Sequence, residues 1–325
     1  MMPGMLAVYA SDIDSDDPLR GLSIGERPEP EPGDGWTTVT VRAASLNHHD
    51  VWSLRGVGLD RERLPMILGC DAAGLDAEGN EVIVHSVISS ESWRGDETFD
   101  PRRTLLSEDH PGTFAERVAV PVRNLVPKPP ELSFEEAACL PTAWLTAYRM
   151  LFTRGRAVPG QTVLVQGAGG GVATALIVLG QAAGIRVWVT SRSEDKRREA
   201  LELGADRAFE AGERLPERVD AVMETVGEAT WAHSLRTLKP GGTIVTSGAT
   251  TGQAPSAELR RIYFLQLSVI GSTMGTREEL DRLAQVCVTK GVRPVIDRTL
   301  ALADARQGFE AMLAGDIQGK IVFTT

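Results

Sequence analysis

The spacing of hydrophobic and polar residues divides the chain near Leu132. Before that point it predicts short strands separated by turns: Trp36–Ala43 alternates polar and apolar residues, and Glu81–Val87 is a second short apolar segment. The Pro- and Gly-rich stretch Arg27–Gly35 precedes the first strand, and the polar stretch Ser89–Asp109 predicts a long surface loop. The first part of the chain is therefore predicted to be mostly β structure.

After Leu132, short apolar segments alternate with helical ones. Ser133 followed by Glu136 is a capping-box pattern, which predicts the start of a helix. The predicted strands are Thr162–Gln166, Arg186–Thr190, Asp220–Thr225, Thr243–Ser247, Leu267–Gly271 and Gly319–Phe323, and the predicted helices include Ala173–Ala183, Glu194–Leu203 and Ala229–Leu238. The strands between residues 162 and 271 are continuous, apolar and joined by helices of about ten residues, which is typical of a parallel, doubly wound sheet; the strand Gly319–Phe323 belongs to the last stretch of the chain.

A glycine cluster lies between the strand Thr162–Gln166 and the helix that follows it. Its residues are Gly167, Gly169, Gly170, Gly171 and the adjoining Val172. Glycine permits a tight turn and a close approach of a pyrophosphate, while the helix N-terminus offers free N–H groups. We predict a dinucleotide site here; a plain strand-to-helix turn is the alternative that this context disfavours.

The end of the next strand predicts which dinucleotide binds. A site for NAD usually has Asp or Glu about 20 residues after the glycines, to hold the ribose 2′-hydroxyl. Here Ser191 and Arg192 occupy that place and Lys196 follows, a set that suits the 2′-phosphate of NADP(H). Alternatively, Arg192 and Lys196 are solvated residues at a helix start. We predict NADPH.

Composition and charge mainly exclude several classes of protein. A chain of 325 residues is long for one hydrophobic core, which favours two lobes. The net charge of −10 argues against nonspecific binding to nucleic acid or a membrane surface, and no apolar run is long enough to span a bilayer. We find no signal-peptide pattern, and the cysteines (Cys70, Cys139 and Cys287) are too few for a disulfide framework, so we expect a cytoplasmic location.

Several short motifs follow one another along nearly the whole chain. They are Leu46–Asp50 with Arg55-Gly56, Leu68–Gly74, Gly112–Glu116, Leu125–Pro129, Glu136–Pro141, Leu145–Tyr148, the glycine cluster and Leu238–Gly242. Together they resemble the medium-chain dehydrogenase/reductase superfamily, and within it the zinc-independent branch similar to quinone oxidoreductases, whose members are often labelled zinc-type alcohol dehydrogenase-like.

The resemblance implies an α/β fold with two domains. A GroES-like, β-rich catalytic domain would comprise residues 1–132 and 276–325, and a Rossmann domain with a doubly wound parallel sheet would comprise residues 133–275. Relatives pair two Rossmann domains through an edge strand. The apolar run at residues 263–271 would provide that strand, so we expect a homodimer.

The resemblance also implies roles for individual residues. Asn47 and Asp50 occupy positions that line the nicotinamide cleft in the family, and Thr146 matches a threonine that packs against the nicotinamide. Ser191, Arg192 and Lys196 match the 2′-phosphate pocket of members that use NADPH. The remaining positions, where the ribose and nicotinamide rest, are Gly227, Ser247, Gly248 and Thr250.

We predict no metal. Zinc-dependent members use Cys, His and Cys as catalytic ligands, and the matching positions here are Asn47, Cys70 and Thr142. Amide and hydroxyl groups are poor zinc ligands, and Ser89–Asp109 has none of the cysteines of a structural zinc lobe. A rearranged site drawn from Cys70, His48 or His49, Asp50 and Asp71 stays open. Cys70 itself is either a small buried apolar residue or a reactive thiol.

We expect hydride transfer from NADPH to a quinone or an α,β-unsaturated carbonyl compound. Asn47 would donate a hydrogen bond to the substrate oxygen, while His49, Asp50 or water would handle the proton. Asp50 also fits a purely structural role. Two other functions stay open: an NADPH-binding sensor or structural protein with little catalysis, and a zinc-type alcohol dehydrogenase.

Overall fold

The computed structural model describes residues 4–325. Its strands are, in chain order, β1 (Gly4–Ala10), β2 (Leu22–Pro28), β3 (Trp36–Ser45), β4 (Met66–Ile67), β5 (Asp71–Leu75), β6 (Glu81–Val84), β7 (Val87–Ile88), β8 (Thr104–Leu105), β9 (Arg117–Pro121), β10 (Leu125–Pro127), β11 (Thr162–Gln166), β12 (Arg186–Ser191), β13 (Arg207–Glu210), β14 (Val219–Glu224), β15 (Leu238–Thr246), β16 (Ser268–Gly271), β17 (Ile296–Ala301) and β18 (Lys320–Thr324).

The helices connect and cover these strands. They are α1 (His48–Leu54), α2 (Phe134–Ala138), α3 (Leu145–Tyr148), α4 (Gly171–Ala182), α5 (Glu194–Glu202), α6 (Glu228–Thr237), α7 (Leu259–Leu265), α8 (Arg277–Lys290) and α9 (Ala305–Ala314). Turns of π-helix, Leu140–Trp144 and Arg149–Arg154, flank α3. No helix within residues 4–325 is both long and apolar enough to cross a bilayer.

The described chain forms two units. One contains residues up to Leu145 together with Met274–Thr325, and the other contains Thr146–Thr273. The sequence placed the first boundary earlier, at residue 133. The difference arises because α2 packs on β3, β5 and β18 of the first unit, where the Ser45 hydroxyl donates to the Ala138 carbonyl at 3.0 Å.

The first unit is built around a sheet with the strand order β10-β6-β5-β3-β18-β17, in which β9 also pairs with β3. The alternation predicted for the first strand is visible in β3. Val39, Val41 and Ala43 are buried, whereas Thr40 and Arg42 between them are more exposed. One face of the strand therefore supplies the core.

The C-terminal tail completes this core. Strand β18 pairs antiparallel with β3 and parallel with β17. The ring of Phe323 on β18 meets the ring of Phe114 edge-on, with 5.1 Å between centroids, and Phe309 of α9 packs against both. The tail thus belongs with the N-terminal part of the chain, as the resemblance implies.

The second unit contains a parallel sheet with the strand order β13-β12-β11-β14-β15-β16. The chain starts in the middle, moves outward to β13, and then returns to build the other half, which is the doubly wound order. The predicted α/β class with a Rossmann-type sheet is confirmed.

Two local predictions for this sheet need correction. Strand β13 was not predicted, because it is short and only partly buried. Strand β15 begins at Leu238, before Pro240-Gly241-Gly242, whereas the predicted helix ended at Leu238 and the predicted strand began only at Thr243. Leu238 pairs with Val219, and a register shift then accommodates the Pro-Gly-Gly sequence before pairing resumes at Thr243.

The stretch predicted as a surface loop, Ser89–Asp109, is partly built into the first unit. It contains β8, which pairs with β7. Thr98, Asp100 and Ser107 within it are buried. Their polar side chains form hydrogen bonds with nearby residues. The polarity of the sequence alone therefore did not indicate that these residues are buried.

Candidate functional site

The glycine turn of the second unit lies between β11 and α4. Gly167 and Gly169 have φ angles of +86° and +88°, in the left-handed region that residues with a side chain rarely adopt. A side chain built at Gly170 would meet no other atom within 4 Å, and α4 begins with Gly171 and Val172. The N-terminal N–H groups of α4 therefore lie beside open space, the arrangement that binds a phosphate group.

Positively charged side chains lie around the end of β12. Ser191 is its last residue, and the exposed Arg192 follows. Lys196 lies beside the glycine turn, since a Cβ on Gly169 would be 2.8 Å from Lys196 Cδ. Arg197, which the sequence analysis missed, donates from Nη1 to the Ser191 carbonyl at 2.6 Å. The residues predicted to hold a 2′-phosphate are therefore grouped, with one further cation.

The remaining predicted cofactor residues of the second unit follow neighbouring strands. Gly227 comes after β14 with a φ of +91°, and Ser247, Gly248 and Thr250 come after β15. Because β11, β12, β14 and β15 are parallel neighbours, their carboxyl ends meet at one edge of the sheet. Thr146 is buried in α3. The structure thus brings the strand-end positions to one edge of the sheet, and their role in cofactor binding stays a prediction.

Asp50 fixes the start of α1 in the first unit. Its Oδ2 accepts from the backbone N–H of Asn47 at 2.8 Å, and its Oδ1 accepts from the backbone N–H of Gly69 at 3.0 Å. The carboxylate is fully buried. It therefore ties α1 to the segment that carries Cys70, a structural role that the sequence analysis had left open.

His49 links Cys70 to Glu108. Its Nδ1 lies 3.3 Å from Cys70 Sγ, and its Nε2 lies 2.7 Å from Glu108 Oε1. Burial disfavours a charge on His49, but the contacts with Cys70, Asp50 and Glu108 raise the pKa of its imidazole well above the usual value. Burial raises the pKa of the Cys70 thiol, and His49 opposes that effect. The next residue along the chain from Asn47, His48, is exposed.

Asn47 belongs to a second buried network. Its Nδ2 donates to Asp71 Oδ2 at 2.8 Å and to the Ser45 carbonyl at 3.3 Å, and its Oδ1 accepts from Lys320 Nζ. Lys320 is only 2% exposed and also donates to the Leu46 carbonyl at 2.7 Å. Both amide hydrogens of Asn47 are engaged, so donation to a substrate would require one of these bonds to break. Its role in the reaction stays a prediction.

Together, a doubly wound sheet, a glycine turn before α4 and a separate β-rich unit define a dinucleotide-dependent oxidoreductase. Two family models match the chain: the alcohol dehydrogenase GroES-like domain over residues 33–130, and the zinc-binding dehydrogenase over residues 171–289. The chain belongs to the medium-chain dehydrogenase/reductase superfamily. The GroES-like assignment and the expectation of an oxidoreductase are confirmed.

Individual relatives span almost the whole chain. An acryloyl-coenzyme A reductase of Metallosphaera sedula is 30% identical over 328 residues, covering 94% of this chain and 97% of the relative. The zinc-type alcohol dehydrogenase-like protein YogA of Leptosphaeria maculans is 30% identical over 338 residues, covering 93% and 94%. A solved NAD-dependent alcohol dehydrogenase superposes with a TM-score of 0.91 at 33% identity, covering 99% of this chain and all of that one.

The family description raises the question of zinc. The positions that the resemblance gives for the catalytic ligands are Asn47, Cys70 and Thr142. The Asn47 amide is engaged by Lys320 and Asp71, and Thr142 offers only a hydroxyl, which is buried without a partner among the described residues. These three groups do not fit a zinc ion.

Proposed function

We propose that the chain is an NADPH-dependent, zinc-independent reductase that transfers hydride to an α,β-unsaturated carbonyl compound or a quinone. The cations Arg192, Lys196 and Arg197 around the end of β12 carry this proposal, because they suit a 2′-phosphate and Lys196 also lies beside the glycine turn. Reduction of a conjugated C=C bond is supported by two relatives named for it, the acryloyl-coenzyme A reductase of Metallosphaera sedula and the crotonyl-CoA reductase of Streptomyces collinus.

The chain's own part in the reaction is binding, orientation and proton handling. When bound, NADPH would supply the hydride for reduction of the conjugated C=C bond. A proton must then reach the α-carbon. We assign this proton to His49, because Glu108 contacts its Nε2 and both side chains reach solvent, at 23% and 24% exposure.

Asn47 and Asp50 are proposed to act with His49. Asp50 holds α1 in place through Asn47 and Gly69, and Asn47 is held by Lys320 and Asp71. Replacement of either residue by Ala is expected to lower turnover at least about tenfold, because the segment that carries His49 would lose its anchors. Near-normal rates in either variant would remove that residue from the proposal.

The direct test is NADPH consumption by chelator-treated protein with a panel of quinones, enones, enoyl thioesters and aldehydes. We expect turnover with at least one acceptor that has an electron-poor C=C bond. This turnover should not require added zinc. His49→Gln should slow the reaction about tenfold or more, while His48→Gln, a matched change at the exposed neighbour, should not. Activity that appears only with zinc and simple alcohols would overturn the proposal.

A second candidate function is an NADPH-binding sensor with little catalysis. It is favoured by one observation: the polar groups of Asn47, Asp50 and His49 are all bonded within the chain. NADPH binding, followed by fluorescence, without turnover of any acceptor in the panel would support the sensor and contradict the reductase.

We also propose that the chain forms a homodimer through the edge of the second unit. Strand β16 is the last strand of its sheet, and Leu259, Tyr263, Phe264 and Val269 on α7 and β16 are 70%, 69%, 75% and 44% exposed. An exposed apolar edge of this kind needs cover. Light scattering should give the mass of a dimer, and Phe264→Glu should shift it to a monomer; a monomeric unmodified protein would contradict this.

The proposed location is the cytoplasm. All three cysteines are buried and unpaired. Thiols of this kind suit a reducing compartment.

A further inference from the structure

His49, Asp50 and Cys70 bring three different metal-binding atoms together in the first unit. One donor atom of each lies within 4.8 Å of the other two. Cys70 Sγ is 3.3 Å from His49 Nδ1, and Asp50 Oδ1 is 3.9 Å from the same nitrogen. We propose that this cluster binds a divalent cation of the zinc type, with His49, Asp50 and Cys70 as its three protein ligands.

The spacing of the donor atoms suits such an ion. Tetrahedral zinc has bonds of about 2.3 Å to sulfur and about 2.0–2.2 Å to nitrogen and oxygen, which places its ligand atoms about 3.4–3.6 Å apart. The separations of 3.3 and 3.9 Å lie on either side of that range. Small side-chain rotations would therefore admit the ion. A thiolate and a carboxylate would balance its charge, and the fourth position would stay open.

Glu108 supplies the support that a histidine ligand usually has. A histidine that binds a metal through one ring nitrogen commonly donates its other N–H to a carboxylate, which fixes the ring. Here Glu108 Oε1 is 2.7 Å from His49 Nε2, the nitrogen that faces away from Cys70. Gly58 makes room for this carboxylate, since a Cβ there would lie 2.1 Å from Glu108 Oε1.

This site differs from the one that the resemblance implies. It shares only Cys70 with the positions Asn47, Cys70 and Thr142, and it replaces the other two with the neighbours His49 and Asp50. The inference concerns binding and does not rest on the proposed function. An ion on His49 Nδ1 would occupy a group that the proposed reaction uses, so the form that turns over is metal-free.

Cobalt(II) is the probe, because its complexes with thiolates absorb light strongly. The full-length protein is reduced, stripped with a chelator and titrated with cobalt chloride without oxygen. We expect one equivalent to bind with a thiolate-to-cobalt charge-transfer band, and one equivalent of zinc to remove the band. No band in a protein that remains folded by circular dichroism would overturn the inference.

Variants locate the ion. Cys70→Ser should abolish the band, and Glu108→Gln should weaken cobalt binding about 10- to 100-fold by removing the support of His49. Cys139→Ala, at a buried cysteine outside the cluster, and His48→Gln should leave both unchanged. A band that survives Cys70→Ser, or an affinity that Glu108→Gln does not alter, would contradict the assignment. Because Cys70→Ser removes the absorbing thiolate, calorimetry with zinc measures the metal affinity of this variant.

Discussion

The proposed cofactor site of the second unit and the side-chain cluster of the first unit are built in opposite ways. The glycine turn is made by the backbone of five consecutive residues, 167–171, and what matters there is that four of the five are glycines without a side chain. The cluster is made by side chains from three separate segments, carrying His49, Cys70 and Glu108. A contiguous backbone site can be recognised in a sequence, whereas a site assembled by the fold depends on partners that sequence spacing does not show.

The largest effect is expected where a buried charge of the first unit loses its partner. Lys320 is 2% exposed and contacts Asp71, which is fully buried. Lys320→Met should therefore lower the free energy of unfolding by about 3–5 kcal/mol, because it leaves a buried carboxylate uncompensated. Urea unfolding followed by circular dichroism measures this change.

A double variant separates the charge from the packing. Lys320→Met combined with Asp71→Asn removes both charges, so it should recover part of the lost stability. Equal free energies of unfolding for the single and double variants would mean that the ion pair between Lys320 and Asp71 does not stabilise the first unit.

The backbone site should respond instead to added bulk. Gly170→Val would place a side chain in the open space before α4, where we predict the pyrophosphate. NADPH affinity should fall at least about 30-fold, or about 2 kcal/mol, with little change in the fold. Fluorescence titration measures the affinity. Gly33→Val is the control, because that glycine also has open space and lies in the first unit; equal loss in both variants would contradict the assignment.

The same contrast explains how much the sequence could predict. The doubly wound sheet, the glycine turn and the cations after β12 depend on local order along the chain, so pattern and spacing located them. Glu108 was hidden in a stretch that looked like a polar loop, and Arg197 in an exposed-looking helix. The sequence contains one pattern from which the role of Lys320 could have been predicted: a charged residue at the start of an apolar final strand needs a buried partner.

The cofactor preference offers a smaller and more selective effect. Arg192→Gln should weaken NADPH binding about tenfold, or about 1.4 kcal/mol, and leave NADH binding unchanged, because only NADPH carries the 2′-phosphate. Paired fluorescence titrations measure both constants. Arg198→Gln, on α5 and ion-paired with Asp195, is the matched control. Equal affinity of the unmodified protein for both dinucleotides would refute the preference itself.

The smallest effect compares two buried histidines, one in each unit. His233 is bonded through both ring nitrogens, to Gln166 Nε2 at 2.9 Å and to the Glu213 carbonyl at 2.8 Å. Neither ring nitrogen of His85 has a hydrogen-bond partner among the described residues. Burial, reinforced by the positive charge of Arg277, lowers the pKa of His85 to about 3, although Glu97 Oε1 lies 3.6 Å from its Nε2.

This lowered pKa has a defined consequence for stability. Below pH 6.5 the unfolded chain takes up a proton at His85 that the folded chain refuses, so the free energy of unfolding must fall as the pH falls. Between pH 7 and pH 5.5 the loss from this residue should be about 1 kcal/mol. His85→Phe, which keeps an apolar ring of similar size, should reduce the slope of unfolding free energy against pH over that interval. An unchanged slope would mean that Glu97 already stabilises the protonated ring. His85 in the first unit would then be as well supplied with polar partners as His233 in the second.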